Sequence, residues 1–446
     1  KDQFIKDTQE LLKINSELTT YDPSRVGAPF GEGNKQALDF MLKLAQRDGF
    51  KFENVDGYAG HIEFGDSKEY IGSIGHLDVV PAGTGWTYPA YGAEIHDNKL
   101  YARGAEDDKA PTMAVYYGMK ILKELGVELK TRIKLILGLD EESGWRCMDH
   151  YFKKHPQVPI AGFIPDADFP LIYAEKGITM TIIRGQFNND VLYKIQGGLR
   201  ANMVPESAVA HVRPDLIIKH KFLEYLNKNN FKGSTNLEAD KLVLETYGKS
   251  AHGSLPEDGL NALHIMFDAL KYAGVDNELV RFADQYLNFD NLGKKLGVNY
   301  KDKAMGDLTV NLGLATSSDN QFELVLNLRY PNGVDYEKDV FDKIMNLLPE
   351  GFGLDVEHHQ KLLYKDPASP LIKTLMGVYQ KHTGDMTPPI SIGGGTFARA
   401  TDNVVAFGPH FIEKPTFIHQ KDEFIDVDDL MKALAIYTES LYELAK

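Results

Sequence analysis

Five positions in the chain carry side chains able to hold metal, and each follows a short apolar run. They are His76 in Gly75-His76-Leu77-Asp78, Asp107 in Asp107-Asp108-Lys109, Glu142 in Asp140-Glu141-Glu142-Ser143, Asp166 in Pro165-Asp166-Ala167 and His419 in Ile418-His419-Gln420. Two imidazoles and three carboxylates suit a pair of divalent cations, because a carboxylate has two oxygens and can bridge them. Such a pair positions and activates a water for hydrolysis. Asp78 and Glu141, each close to a ligand candidate, are natural proton carriers. A lone His or Asp at a strand end is more often a turn or cap residue, and Asp107-Asp108 could simply cap the helix that follows. Five candidates that all fall at element boundaries are harder to read that way.

These residues need elements to deliver them. Residues 70–75 read as a short buried strand that ends at His76. Pro111 suits the first turn of a helix running to about Leu125, with Gly126 as its stop. Residues 133–139 are apolar apart from Lys134, as expected of an interior strand covered on both sides by helices, and they end at Asp140-Glu141-Glu142. Residues 160–164 repeat the arrangement before Asp166. Helical spacing marks residues 4–14 and 36–48, the second stopped by Gly49. Strands alternating with helices predict an α/β domain whose site lies beyond the carboxyl ends of the strands.

The middle of the chain, from about 177 to 363, changes character to strands, polar turns and two amphipathic helices. Residues 309–315 and 321–329 form a predicted hairpin joined by Ser317-Ser318-Asp319-Asn320. In its second strand Phe322, Leu324, Leu326 and Leu328 share one face, and Glu323, Val325, Asn327 and Arg329 the other. Residues 259–271 read as a helix with Leu260, Leu263, Phe267 and Leu270 inward. Asp366-Pro367 and Ser369-Pro370 mark the exit, after which α/β character resumes. A helix starts near Leu371, a glycine loop at Gly393-Gly394-Gly395, a strand at 404–407 and a last helix near Asp428. Because His419 lies in this last part, the first and last segments must fold together around an insert. The expected division is 1–176 and 366–446 for the first domain and 177–365 for the inserted one. The junction Asn188-Asn189-Asp190 is abrupt.

Composition sets bounds. At 446 residues two or three domains are expected, and 43% hydrophobic with 25% charged residues is ordinary for a globular protein. A formal charge of −15, with no basic run, argues against nucleic acid. No apolar stretch approaches the ~20 residues needed to cross a bilayer. The single cysteine, Cys147, excludes an intramolecular disulfide and points to a reducing compartment, so the cytoplasm is expected; Cys147 itself reads as a packed thiol. The glycine loop lacks a Walker lysine and reads as close backbone approach. His61, His96, His211 and His264 are left as structural or surface histidines.

The chain resembles, over nearly its whole length, the co-catalytic zinc exopeptidases that include glutamate carboxypeptidase, aminoacylase and succinyl-diaminopimelate desuccinylase, and most closely the bacterial PepV-type dipeptidases. Residues 75–83, 103–109, Glu141-Glu142, Pro165-Asp166-Ala167 and His419 match the family's motifs in turn. Ala110 departs from the glycine often found after Asp-Asp-Lys. The resemblance implies a zinc-exopeptidase-like catalytic domain with a mixed sheet, interrupted by an inserted α+β lid. It implies that Asp107 bridges two ions, with His76 and Asp166 on one and Glu142 and His419 on the other, and that the peptide bond after Asp107 is cis. Glu141 would act as general base and then acid, and Asp78 would orient His76. In the lid, His252 in Ser250-Ala251-His252-Gly253 matches the residue that donates to the oxyanion. Asn202 and Arg329 match those holding the substrate carboxylate, and Gly394 and Gly395 would line the pocket. The implied activity is cleavage of dipeptides, with zinc the first expectation and manganese or cobalt alternatives. The long insert favours a monomer. An N-acyl-amino-acid deacylase or desuccinylase is the rival reading, and a non-catalytic peptide-binding protein the more distant one.

Overall fold

The computed structural model of the protein describes residues 1–446, which divide into two compact units. The first comprises residues 1–173, 363–390 and 395–446, and the second 174–362 with 391–394. The first unit opens with α1 (Asp2–Leu12), α2 (Glu32–Arg47), β1 (Lys51–Val55), β2 (Ala59–Phe64) and β3 (Tyr70–His76). There follow β4 (Glu94–His96), β5 (Lys99–Tyr101), α3 (Lys109–Glu124), β6 (Arg132–Gly138), α4 (Arg146–Lys154) and β7 (Ala161–Ile164). The sheet runs β1-β2-β6-β3-β7 and continues with Val404–Ala406. From β6 through β3 and β7 to Val404–Ala406 the neighbours are parallel, whereas β1 and β2 join antiparallel at one edge, so the sheet is mixed.

β3 is buried throughout and β6 from Ile133 onward, which requires cover on both faces. On one face a side chain at Gly75 would put its Cβ 1.9 Å from Thr112 Oγ1, so glycine is what lets α3 lie against β3. On the other, Gly138 faces Met148 of α4 and Phe397. The charge in the buried run of β6, Lys134, is met by Glu63 Oε1 at 2.9 Å, its register partner on β2. α3 begins after Asp108, carries Pro111 in its first turn and stops before Gly126 at φ +64°. The edge strands β1 and β2, the β4–β5 hairpin and α4 go beyond the elements read from the sequence. No helix is long and apolar enough to cross a membrane.

The second unit is built on an eight-stranded antiparallel sheet. Its spatial order is Lys232–Leu237, Leu242–Tyr247, Ser207–Val212, Leu192–Gly197, Thr309–Ser318, Gln321–Tyr330, Gly177–Gln186 and Gly353–Gln360. Leu216–Lys228, Ala262–Tyr272, Glu278–Tyr286 and the short Asp342–Leu347 are α-helices, two more than the two expected. The helix expected from Gly259 starts at Ala262, because Asn261 Oδ1 accepts from Leu263 N at 2.9 Å and caps it, a role asparagine fills well. Leu260 therefore lies outside the helix, bridged to Lys249.

The predicted hairpin forms with a tighter turn at Asp319-Asn320, Ser318 pairing with Gln321. Phe322, Leu324, Leu326 and Leu328 enter the main core. On the opposite face, where the sequence places polar residues, Asn327 and Arg329 are buried along with Val325. The segment around Ala201 covers it. Asn311 Nδ2 donates to the carbonyls of Ala201 (3.0 Å) and Met203 (2.8 Å), and Ala201, Ile182 and Val325 pack together.

His264, 3% exposed on Ala262–Tyr272, packs beside Phe289. Burial, with repulsion from Lys295, pulls its pKa from 6.5 down to about 4. The unfolded chain takes up this proton first, so stability is lost as pH falls from about 6.5 to about 4, by up to about 3 kcal/mol. In His264→Leu that loss is absent. Denaturant titrations at the two ends of this window should shift the wild-type-minus-variant difference by about 2–3 kcal/mol toward the variant on acidification. Parallel pH dependences would show that the fold does not exclude the proton.

Candidate active site

The three parallel strands β3, β6 and β7 end side by side; His76 is the last residue of β3, and the residues that follow β6 and β7 carry Glu141-Glu142 and Asp166. Asp107 precedes the capping residue of α3. His419 comes from the irregular segment after Pro409–Phe411, where it adopts φ +60° in a turn closed by Gln420 N donating to Phe417 O at 3.0 Å. All five ligand candidates belong to the first unit.

The structure brings them together around Asp107. Its Oδ1 lies 2.9 Å from His76 Nε2 and its Oδ2 3.0 Å from His419 Nε2. Asp166 Oδ2 is 3.6 Å from His76 Nε2, and Glu142 Oε1 is 3.0 Å from His419 Nε2. Each Asp107 oxygen thus has its own imidazole and its own second carboxylate. Donors bound at about 2.0–2.1 Å around one tetrahedral ion lie roughly 3.3 Å apart, so these separations fit shared cations. Glu141 joins His76 and Asp166 in a second compact donor group beside that of His76, Asp107 and Glu142. The peptide bond between Asp107 and Asp108 is cis.

The charges fit the same reading. Burial pushes the Glu141 carboxyl well above the usual range, with Asp166, Glu142 and Asp107 adding to the shift. Burial and then Asp107 raise Glu142 to about 7 and also raise Asp166. Burial alone would lower the two imidazoles, but Asp107, with Asp166 for His76 and Glu142 for His419, outweighs it; His419 reaches about 11. Burial opposes ionisation of Asp107, and its hydrogen bonds to His419 and His76 overcome that and hold it well below the carboxylate range. A site whose carboxylates raise one another's proton affinity while the imidazoles hold protons is one that demands positive charge.

Asp78 departs from expectation. His76 Nδ1 meets the Asp78 backbone carbonyl at 2.9 Å, and the carboxylate is only within 3.5 Å. The carboxylate oxygens instead accept from Glu141 N and Glu142 N, each at 3.1 Å. Asp78 is fully buried and ties the loop after β3 to the loop after β6, which suits a positioning residue and not a proton carrier. Asp108 does similar work, accepting from His76 N at 3.1 Å and Thr112 Oγ1 at 2.8 Å.

Sequence reasoning missed Glu423. Its Oε1 accepts from Glu106 N (3.0 Å) and Asp107 N (3.3 Å), and its Oε2 takes the Arg103 guanidinium at 2.5 Å. Both side chains are almost completely buried. The signal was Arg103 itself, a cation between Ala102 and Gly104 in a motif otherwise bound for the interior, which needs a buried acid from elsewhere.

The second unit gathers the other predicted residues. Gly253 N donates to Asn202 O at 2.7 Å, and Met203 bridges to His252. His252 Nδ1 lies 2.6 Å from Ser254 Oγ and receives Ser254 N at 3.3 Å, so the ring accepts at Nδ1 and a neutral ring carries its proton on Nε2. Arg329 Nε donates to Asn327 Oδ1 at 2.9 Å and Nη1 to Gly393 O at 3.0 Å. A Cβ on Gly393 would fall 2.9 Å from Ser254 Cβ. Asn202, His252 and Arg329 thus converge within one unit beside Gly393 and Gly394, while Gly395 falls in the first unit, packed on Arg399.

A carboxylate shared between two imidazole–carboxylate pairs, at the carboxyl ends of parallel strands, defines the class of co-catalytic metallohydrolases. Residues 73–443 match the family described as Peptidase family M20/M25/M40, and the chain belongs to it. It is therefore a peptidase hydrolase with a possible site for two divalent ions. It is 41% identical to "Putative dipeptidase YtjP" of Bacillus subtilis (strain 168), covering 100% of this chain and 98% of that one. It is 39% identical to "Putative dipeptidase" of Staphylococcus epidermidis, covering 100% and 97%. Among solved structures the M20 family metallo-carboxypeptidase Sso-CP2 of Sulfolobus solfataricus superposes with a TM-score of 0.62 at 18% identity, both chains fully covered, which shows the shared fold.

Glu423 supplies a test of how the ligand loop is held. Glu423→Gln keeps an acceptor but removes the charge facing Arg103, so the backbone at Asp107 should lose its anchor. Metal retention against a competing chelator should fall about 10–100-fold, the range for groups that orient ligands. Unchanged retention would make Glu423 a partner of Arg103 alone.

Proposed function

We propose that the protein is a metallo-dipeptidase, and the arrangement of Asp107, each oxygen set against a different imidazole and carboxylate, is the observation that carries the hydrolytic part. The substrate class rests on the full-length relatives named as dipeptidases and on the polar cluster of the second unit. His76 and Asp166 would hold one ion, Glu142 and His419 the other, with Asp107 between; zinc suits this mixed N/O set best, manganese and cobalt next. Bound there, the ions would polarise the scissile carbonyl and bring a water's pKa toward about 7.

The chain's own groups do the rest. Glu141 takes the proton of the attacking water and passes it to the leaving amine, a task its raised proton affinity favours. His252, with its proton on Nε2, donates to the developing oxyanion. Arg329 and Asn202 bind the substrate's terminal carboxylate, and Gly394 and Gly395 line the pocket by their backbone. The second unit acts as the lid, closing over substrate. The proposal includes a monomer in the cytoplasm, in keeping with a single, buried, free Cys147.

Glu141→Gln keeps shape but cannot take the proton. Its kcat on the best dipeptide should fall by about 10²–10⁴ with two metals per chain retained by elemental analysis. A loss below about tenfold would assign the base elsewhere. The same assay on N-acyl-amino acids separates dipeptidase from deacylase.

Carboxylate recognition is tested by a kinetic cycle of wild type and Arg329→Met on a dipeptide and its C-terminal amide. Because Arg329 is buried, metal content and unfolding of the variant must first match wild type. Each change alone should lose a charge-assisted bond of about 1.5–3 kcal/mol, one to two decades in kcat/KM, and the double change little more. Additive losses would show that Arg329 does not read the carboxylate.

A further inference from the structure

A second cluster of metal-binding side chains lies in the first unit and shares no residue with the active site. Glu53 on β1 and His61 on β2 are direct register partners, so their side chains stand on one face of the edge hairpin. His155 follows the last residue of α4, fixed by its N–H to Tyr151 O at 2.8 Å. His155 Nε2 lies 3.2 Å from Glu53 Oε1, and His61 Nε2 lies 3.8 Å from Glu53 Oε2. One donor atom from each of the three falls within 4.8 Å of the others. The two rings stand at 88°, edge to face, with centroids 5.2 Å apart.

The surroundings prepare these donors. His61 is 5% exposed, and its Nδ1 is engaged by the buried Tyr151 hydroxyl at 3.2 Å, which leaves Nε2 facing the cluster. Burial, then Lys134, lowers the His61 pKa to about 4, so the ring is unprotonated near neutrality. The neighbouring cations Lys134 and Arg132 pair with Glu63 at 2.9 and 3.1 Å, and Glu63 Oε1 itself lies 3.6 Å from His61 Nε2. Glu53 is half exposed, which leaves one side of the cluster open to solvent. Two imidazoles and a carboxylate with an open fourth position match the donor count of zinc sites that keep a water. The hydroxyl on the far nitrogen of His61 is the kind of partner that fixes a ligating imidazole.

We propose that Glu53, His61 and His155 form a third divalent-metal site, of the zinc class, which clips the β1–β2 hairpin to the end of α4. It differs from the active site in having no bridging carboxylate and in lying at the sheet edge, away from the ends of β3, β6 and β7.

The test counts ions on the full chain. Wild type, His155→Ala and Asp107→Asn are dialysed to equilibrium against a series of free Zn²⁺ concentrations, and bound zinc per chain is measured by elemental analysis. His155→Ala should bind one zinc fewer than wild type while keeping its peptidase rate. Asp107→Asn should lose zinc from the active site, and adding His155→Ala to it should remove one more. Glu53→Gln, a change at an exposed position, should repeat the loss. Equal zinc binding by wild type, His155→Ala and Glu53→Gln across the series would overturn the proposal, as would a loss in His155→Ala accompanied by a loss of peptidase rate.

Discussion

Four carboxylates and two imidazoles are packed into a few ångströms, largely out of water, and their mutual repulsion is the constraint around which the first unit is organised. Asp107, Glu141, Glu142 and Asp166 cannot all ionise together without positive charge among them, and burial removes the water that would screen them. The structure counters the repulsion through the backbone. Asp78 pins the two glutamates by their N–H groups, Asp108 pins His76, and Glu423 pins Asp107, so the donors cannot spread apart. Parallel strands supply the rest, since β3, β6 and β7 all point their carboxyl ends to the same place.

The second unit meets a different need, the assembly of polar groups on a sheet face. Arg329 and Asn327 are buried on that face, and the cost of burying them is offset by mutual hydrogen bonding and by the Gly393 carbonyl. Asn311 draws the Ala201–Met203 backbone onto the same face, and Gly253 ties His252 to Asn202. Glycine at 393 allows the loop to reach Ser254. The residues proposed to read the substrate are thus held by the unit's own packing.

The strand ends carrying His76, Glu142 and Asp166 could be read from the sequence, because apolar runs such as 133–139 announce a buried strand and a polar residue directly after one must sit at its end. Asp107 was legible from the helix signals that follow it. His419 lies in an irregular segment with no periodicity, so its residue type marked it as a candidate while its place in the fold stayed open until the resemblance was drawn. Glu423 carries no local signal, since its partner Arg103 lies 320 residues away in the chain. Alternation placed Arg329 on the face opposite the leucines but could not show its burial, because period-two reading cannot foresee residues 201–203 packing on that face. β1 was missed for the converse reason: as an edge strand it leaves Phe52 and its neighbours exposed and shows no buried stripe.

His419 and Glu423 have a consequence in time. The ribosome makes His76, Asp107, Glu142 and Asp166 first, then the second unit's residues 174–362, and only after them the segment holding His419 and Glu423. Until then Oδ2 of Asp107 has no imidazole and its backbone no anchor. A chain halted before residue 419 therefore carries part of the donor cluster without the rest. Its remaining carboxylates face one another with a single imidazole among them, so the repulsion that the complete cluster counters goes less opposed.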